Sequence, residues 1–202
     1  MKKYLIVAAI VLLAAACNKA MAPQAENPSQ FNQQPTVAPD SAADWQTYRN
    51  LDYGFEFKYP SDFAFTQPTY GGLKQEIVQL RPAKNFYSGT NYVDSAFTVS
   101  NDYVSKPAQC FLDSAGKTLT SVETINGTKF YTGENVGAAA GNLYNSVIYR
   151  TLNKDWCTEI TLTVHTGNIA NYPAGSVTEV DQNKPLAVLR QMLSTFTFSS
   201  QN

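Results

Sequence analysis

The chain has 202 residues, which gives room for one folded domain. Hydrophobic residues make up 44% of it and charged residues 15%, a balance typical of a globular fold rather than a disordered chain. The formal net charge is −1, whereas proteins that bind nucleic acid rely on clustered Lys and Arg. The composition therefore excludes nucleic-acid-binding proteins and favours a compact domain.

The N-terminus has the pattern of an export signal. Lys2 and Lys3 precede an apolar run over residues 4–16, which is shorter than the roughly 20 residues that a membrane-spanning helix needs. Cys17 directly follows three Ala residues, and this arrangement resembles a lipobox, in which the Cys receives diacylglycerol and becomes the mature N-terminus. The sequence predicts a lipoprotein signal peptide over residues 1–16 and a lipid on Cys17. An ordinary secretory signal and a retained anchor are the alternatives.

Residues 18–43 are rich in Pro, Gln, Asn, Ala and Ser and show no apolar periodicity. Such a composition does not bury enough apolar surface to offset the entropy of ordering the chain. We predict that residues 17–43 form a lipid-attached flexible linker with an end-to-end distance of roughly 28 Å. Residues 44–202 then form one globular domain.

Most of this domain has the patterning of short strands. Aromatic residues alternate at Tyr53, Phe55, Phe57 and Tyr59, which predicts a strand with one buried face that ends at Pro60. The later segments predicted to be strands are residues 63–66, 73–80, 92–100, 120–125, 128–134, 142–152, 156–166 and 195–198. The dipeptide Asn126-Gly127 is the strongest turn signal, because it favours the tight type I′ turn of a hairpin. A second hairpin turn is predicted at residues 153–155.

Two segments have helical character. Residues 107–113 begin with Pro107 and suit a short helix, and residues 185–193 place Leu186, Leu189 and Leu193 along one stripe. Because hairpin-linked strands dominate and no strand–helix–strand alternation is present, the sequence predicts an α+β fold. In this fold a mainly antiparallel β-sheet packs against one or two helices.

The two ends of the domain resemble a known family. Tyr48-Arg49-Asn50, the Tyr-Gly-Phe-x-Phe-x-Tyr-Pro run of residues 53–60 and the final helix leading into residues 194–198 are similar to the frame of Mog1/PsbP-like domains. The resemblance spans residues 45–198, and bacterial lipoproteins of the cell envelope also use this frame. It implies a PsbP-like α/β/α sandwich and a role as an accessory or binding protein rather than an enzyme.

The remaining cysteines, Cys110 and Cys157, form an even pair in a domain that is predicted to be exported. Oxidation is favoured outside the cytoplasm, so we expect them to join in a disulfide. Independent buried thiols and a reactive Cys are the alternatives.

Residues that could carry catalysis do not fall into a recognised pattern. His165 is the single His in the chain, and it lies on the polar side of a predicted strand, where a surface or cross-strand role is expected. The pairs Asp52/Glu56 and Glu159/Glu179 can be proposed as acid–base sites, but solvated strand faces explain them equally well. Metal-binding, calcium-loop, phosphate-loop and nucleophile-elbow motifs are missing from the sequence. We therefore expect no metal, no cofactor and no enzymatic activity, and the sequence assigns no ligand-binding residue.

Together these patterns predict a lipoprotein of the cell envelope, held on the extracytoplasmic side of a membrane by its N-terminal lipid. Its domain is expected to bind an envelope protein or a cell-wall component without catalysis, and nucleic acid is not an expected partner. A small-ligand or substrate-binding lipoprotein is the main alternative, and a large aromatic-lined cleft would favour it. A hydrolase with an unrecognised carboxylate or Ser site is the third possibility.

Overall fold

A computed structural model of the chain describes residues 44–66, 75–154 and 156–199. The predicted signal peptide, the predicted lipidation site Cys17 and the predicted linker lie outside these residues. Within them, no helix is long and apolar enough to span a membrane.

The described residues form ten strands, one α-helix and short 3-10 helices. In chain order the longer elements are β1 (Gln46–Asn50), β2 (Phe55–Tyr59), β3 (Phe63–Thr66), β4 (Gln75–Pro82), β5 (Tyr92–Tyr103), β6 (Ser121–Ile125), β7 (Thr128–Ala139), β8 (Asn142–Asn153), β9 (Trp156–Gly167), α1 (Asn183–Ser194) and β10 (Thr197–Phe198). A 3-10 helix at Pro107–Phe111 follows β5.

The strands form two sheets in which every strand pair is antiparallel. The small sheet has the order β1-β2-β10, and the large sheet has the order β3-β4-β5-β9-β8-β7-β6. The helix predicted at residues 185–193 is α1, and the short helix predicted at residues 107–113 is the 3-10 helix. The predicted α+β fold with a mainly antiparallel sheet is therefore confirmed.

Two of the hairpin turns contain residues in the left-handed backbone conformation that tight turns require. Asn126 and Gly127 have φ values of 46° and 80°, which confirms the turn predicted between β6 and β7. β7 runs to Ala139, five residues beyond the predicted 128–134, and turns into β8 through Ala140 and Gly141, with φ values of 49° and 79°. Sequence patterning missed this extension because its small residues carry no apolar alternation.

The main core lies between the large sheet and a layer made of the small sheet and α1. Phe57 of β2 contacts Phe97 of β5 with ring centroids 4.8 Å apart, and Phe55 stacks on Phe196 at 5.4 Å. The predicted apolar stripe of α1 is buried on this core. The aromatic alternation of β2 therefore joins the two layers, and burial of this apolar surface is the main favourable term in their association.

The opposite face of the large sheet is covered at one end by the segment that contains the 3-10 helix. The structure joins Cys110 of this helix to Cys157 of β9 in a disulfide, with the two Cα atoms 5.2 Å apart. Val104 is buried beside the bridge, and Arg150 of β8 donates a hydrogen bond to the carbonyl of Leu112. The pairing expected from the sequence is present, in place of independent or reactive thiols.

Candidate functional site

A cleft of about 1280 Å³ follows α1. Residues near the ends of β2 and β4 line one part of it, and the β6–β7 turn lines another. The cleft also takes in Asp44 and Trp45, the first two described residues. Because these segments are distant in sequence, the cleft is a product of tertiary folding.

Five aromatic side chains line the cleft. They are Trp45, Phe63, Phe86, Tyr87 and Tyr92. Tyr87 and Tyr92 meet edge to face with ring centroids 4.8 Å apart, and the Lys84 ammonium lies 5.1 Å from the centre of the Phe86 ring. Phe63 and Tyr92 are buried in the core, so Trp45, Phe86 and Tyr87 supply the accessible aromatic surface of the cleft. Aromatic rings offer a large apolar contact area at a low cost in side-chain entropy, which suits this surface to binding.

Tyr92 and Ser95 form a buried polar pair in the cleft lining. Their hydroxyl oxygens are 2.9 Å apart. Burial raises the pKa of Tyr92 to about 12, and burial together with the nearby charge of Asp181 raises the pKa of Tyr87. Both phenols therefore stay neutral at physiological pH, where they offer hydrogen bonds rather than a charged nucleophile.

Charged residues of both signs line the cleft. Asp44, Asp62 and Glu123 supply carboxylates, and Lys184 and Arg190 of α1 supply basic groups. A lining of mixed charge creates no strong field of one sign, which is unlike the uniformly basic surfaces that bind nucleic acid. It suits a partner that carries both kinds of charge.

An edge strand adjoins the cleft. β6 stands last in the strand order of the large sheet, so its outer edge has no strand partner among the described residues. Glu123, Thr124 and Ile125 of this strand line the cleft. Exposed strand edges present unpaired N–H and C=O groups that an extended peptide can bind as an added strand.

His165, the single His of the chain, lies away from the cleft lining on a different surface. Its Nδ1 is 3.3 Å from Oδ1 of Asp94 and its Nε2 is 2.9 Å from Oδ1 of Asn142, while its ring stacks on Tyr144 at 4.3 Å. Asp94 also forms an ion pair with Arg81. Asp94 and Tyr144 are the cross-strand neighbours of His165, so the imidazole belongs to a cross-strand polar network.

Two of the four carboxylates considered as acid–base pairs form ion pairs with Arg residues instead. Glu56 forms an ion pair with Arg49 at 2.7 Å, and the buried Glu159 forms one with Arg150 at 2.6 Å. Glu179 is exposed in the loop before α1. Across the described ranges, no group of three or more His, Cys, Asp or Glu side chains is placed to hold a metal ion.

Sequence reasoning did not find the cleft residues. The predicted strands include Phe63 but neither Trp45 nor residues 81–91. The cluster of Phe86, Tyr87 and Tyr92 within seven residues is a signal that could have pointed to an aromatic surface. Its neighbours across the cleft come from α1, which lies about 100 residues later in the chain.

Comparisons with known proteins concern the fold. No family model matches the chain, and no curated protein matches it. Among solved structures, it is similar to a Bacteroides thetaiotaomicron crystal structure with 12% identity and a TM-score of 0.48, covering 78% of this chain and 50% of that one. The chain thus spans half the length of that protein.

Two further structures bear the names of the family that the two ends of the domain resemble. A solution structure of cyanobacterial PsbP from Synechocystis sp. PCC 6803 has 13% identity and a TM-score of 0.46, covering 82% of this chain and 98% of that one. A structure of a Mog1 mutant has 11% identity and a TM-score of 0.42, covering 77% of this chain and 97% of that one. The solved structures similar to this chain therefore include PsbP and Mog1.

Proposed function

We propose that this chain is a lipid-anchored protein of the cell envelope whose domain is a non-enzymatic binding module. The cleft along α1 is its binding surface, and an extended segment of an envelope protein is its partner. The observation that carries this proposal is the cleft itself, because its volume of about 1280 Å³ exceeds the roughly 300–1,000 Å³ of small-molecule pockets.

Two features of the cleft favour a polypeptide as its occupant. The lining combines aromatic rings with carboxylates and basic groups, which matches the mixed chemistry of a protein segment. The unpaired edge of β6 adds backbone groups that an extended peptide can use. Pockets for side chains and a free strand edge together support recognition of a peptide in extended form.

The proposed anchor agrees with the position of the cleft. Asp44 lines the cleft and directly follows the predicted linker, so the linker joins the domain at its proposed binding surface. A lipid on Cys17 then holds this surface near the membrane, at a root-mean-square linker span of roughly 28 Å. Anchoring thereby raises the local concentration of the cleft around membrane-associated partners.

Replacing Cys17 with Ala tests the anchor. Because diacylglycerol supplies the two acyl chains that stable anchoring takes, Cys17→Ala is expected to move most of the protein from the membrane fraction to the soluble fraction. Immunoblots of fractionated cells measure the shift, and Asn18→Ala serves as a neighbouring control that keeps the Cys. A Cys17→Ala protein that stays with membranes as tightly as the control would contradict lipidation at this residue.

Site-specific photo-crosslinking tests the cleft. A photoreactive amino acid at Val188, which lines the cleft, is expected to give a discrete crosslinked product with one envelope protein, whereas the same group at the exposed Val136 gives none. Trp45→Ala and Tyr87→Ala are each expected to weaken the interaction by roughly 1–2 kcal/mol, since buried aromatic side chains dominate interface energies. Equal crosslinking at Val188 and Val136 would refute binding in the cleft.

A small-ligand-binding lipoprotein is the second candidate, and the aromatic lining of the cleft favours it. Native mass spectrometry of protein purified from its own envelope separates the two functions. If a small molecule co-purifies with the parent protein and is lost in Tyr87→Ala, the cleft binds a small ligand rather than a polypeptide. If the protein purifies without a bound small molecule, the result supports a peptide partner.

A further inference from the structure

A second, smaller concave site lies outside the cleft lining. It is a pocket of about 180 Å³ formed by the β1–β2 turn, the last part of β5, the β8–β9 turn and the start of β9. Its lining includes Asp52, Tyr53, Asn101, Trp156 and Thr158. A single water occupies about 30 Å³ of liquid volume, so the pocket has room for a ligand the size of one six-membered ring.

Asn101 of β5 contributes a hydrogen-bond acceptor that has no donor among the described residues. Its side chain is only 2% exposed, and its Oδ1 has no hydrogen-bond partner among the described residues. Buried polar atoms in folded proteins nearly always have a partner, so an orphaned amide oxygen in a pocket lining marks a place where a donor is missing. Thr158, the cross-strand neighbour of Asn101, is equally buried and adds a hydroxyl to the same lining.

An aromatic cluster borders the pocket. Trp156 meets Tyr53 and Tyr103 edge to face, with ring centroids 5.6 and 5.8 Å away. Trp156 is 38% exposed and Tyr103 is 63% exposed, so rings that usually pack inside a protein are open to solvent here. Tyr53 is held in place by a hydrogen bond from its hydroxyl to Oε1 of Gln75.

The combination of these groups selects the chemistry of the ligand. An aromatic face recognises an apolar C–H surface, and the amide and hydroxyl groups of Asn101, Asn153 and Thr158 recognise neutral donors and acceptors. A pyranose ring carries both, with C–H bonds on one face and hydroxyls at its edge. A small organic cation would also fit an aromatic cluster, but the lining contains both Asp52 and Lys154, whose opposite charges offset each other, so it offers a cation no net attraction.

We propose that this pocket binds one neutral sugar unit, either free or at the end of a glycan. Trp156 lies against the C–H face of the sugar, and Oδ1 of Asn101 accepts a hydrogen bond from one of its hydroxyls. This site is separate from the cleft along α1, so the domain carries a sugar subsite whether or not the cleft binds a polypeptide.

Nuclear magnetic resonance of the full-length, ¹⁵N-labelled Cys17→Ala protein tests the proposal. The indole N–H signal of Trp156 is assigned by its loss in Trp156→Phe and is then followed during titration with D-glucose and with N-acetyl-D-glucosamine. At least one of these sugars is expected to shift the signal saturably, with a Kd on the order of 1–10 mM for so small a ligand. A trisaccharide that binds more tightly than its monosaccharide identifies a glycan as the source, and equal affinities identify the free sugar.

Asn101→Leu separates binding from folding. Because Oδ1 of Asn101 has no partner in the described structure, this variant is expected to keep its melting temperature while its affinity for the sugar falls about tenfold or more. Asn135→Leu, the same change at an exposed position of β7, is expected to leave the affinity unchanged. Trp156→Ala is a second pocket variant and is expected to lose the saturable binding, read from the sugar's own signals by saturation transfer.

Three results would overturn the proposal. The first is the absence of any saturable shift with either sugar at concentrations well above the expected Kd. The second is an affinity that is the same in Asn101→Leu and in the parent protein. The third is a shift caused by tetramethylammonium and not by the sugars, which would assign the aromatic cluster to a cation.

Discussion

Replacing Cys110 and Cys157 together with Ser is expected to lower the free energy of unfolding by about 4 kcal/mol. The disulfide closes a loop between residues 47 positions apart, and a cross-link of that span removes this much conformational freedom from the unfolded chain. For a domain of this size the melting temperature should fall by about 8–16 °C. Both sulfurs are buried, so the loss of their packing adds to the effect.

Thermal unfolding followed by circular dichroism measures this loss, using the full chain with Cys17→Ala so that the protein stays in solution. The parent is compared with and without a reducing agent, and the double Ser variant provides the control because the reducing agent should not change it. A double variant that melts at the parent's temperature would show that the bridge contributes nothing to stability. Hydrogen exchange is expected to increase most around Pro107–Phe111, the segment that the bridge ties to β9.

Phe57→Ala is expected to cost about 3–5 kcal/mol, because it removes a fully buried ring and leaves a cavity. Phe57 is 1% exposed and contacts Tyr48 at 5.3 Å and Phe97 at 4.8 Å between ring centroids. Tyr48 belongs to the same small sheet, so the contact with Phe97 of β5 is the one that holds the small sheet on the large sheet. Since domains are typically stable by only 5–15 kcal/mol, this one change removes a large share of the stability.

Urea denaturation of the Cys17→Ala protein with and without Phe57→Ala measures the cost, and an unchanged slope shows that the unfolded states are comparable. Phe65→Ala is the matched control, because the same ring is removed from a position that is 52% exposed. It is expected to cost about 1 kcal/mol or less. Similar losses in the two variants would contradict the assignment of Phe57 to the contact between the sheets.

The positions of individual strands were largely predictable because the signals are local. Aromatic alternation in Phe55–Tyr59 and the Asn126-Gly127 turn depend on a few neighbouring residues, and both appear in the structure as expected. The stripe of Leu186, Leu189 and Leu193 likewise predicted α1. Boundaries were less predictable where no alternation marks them, as at the end of β7.

The disulfide was only partly predictable from the sequence. Composition and the predicted export favoured a bridge, but the alternatives stayed open because a bond requires two Cα atoms to come within about 7 Å. That distance depends on how the segment after β5 folds back across β9, which no local pattern encodes. The tertiary structure brings the Cα atoms of Cys110 and Cys157 to 5.2 Å.

The sequence by itself determined the type of fold, the main strands and the helix. It also predicted a location at the cell envelope, and this prediction rests on Cys17. Only the tertiary structure decided where a ligand could bind. Tyr53, Asn101 and Trp156 come from three distant segments, and Asn101 lies beyond the predicted strand of residues 92–100 because β5 continues to Tyr103. Strand and helix signals repeat every two to four residues, whereas a pocket depends on contacts between residues far apart in the chain, and those form only when the sheets pack.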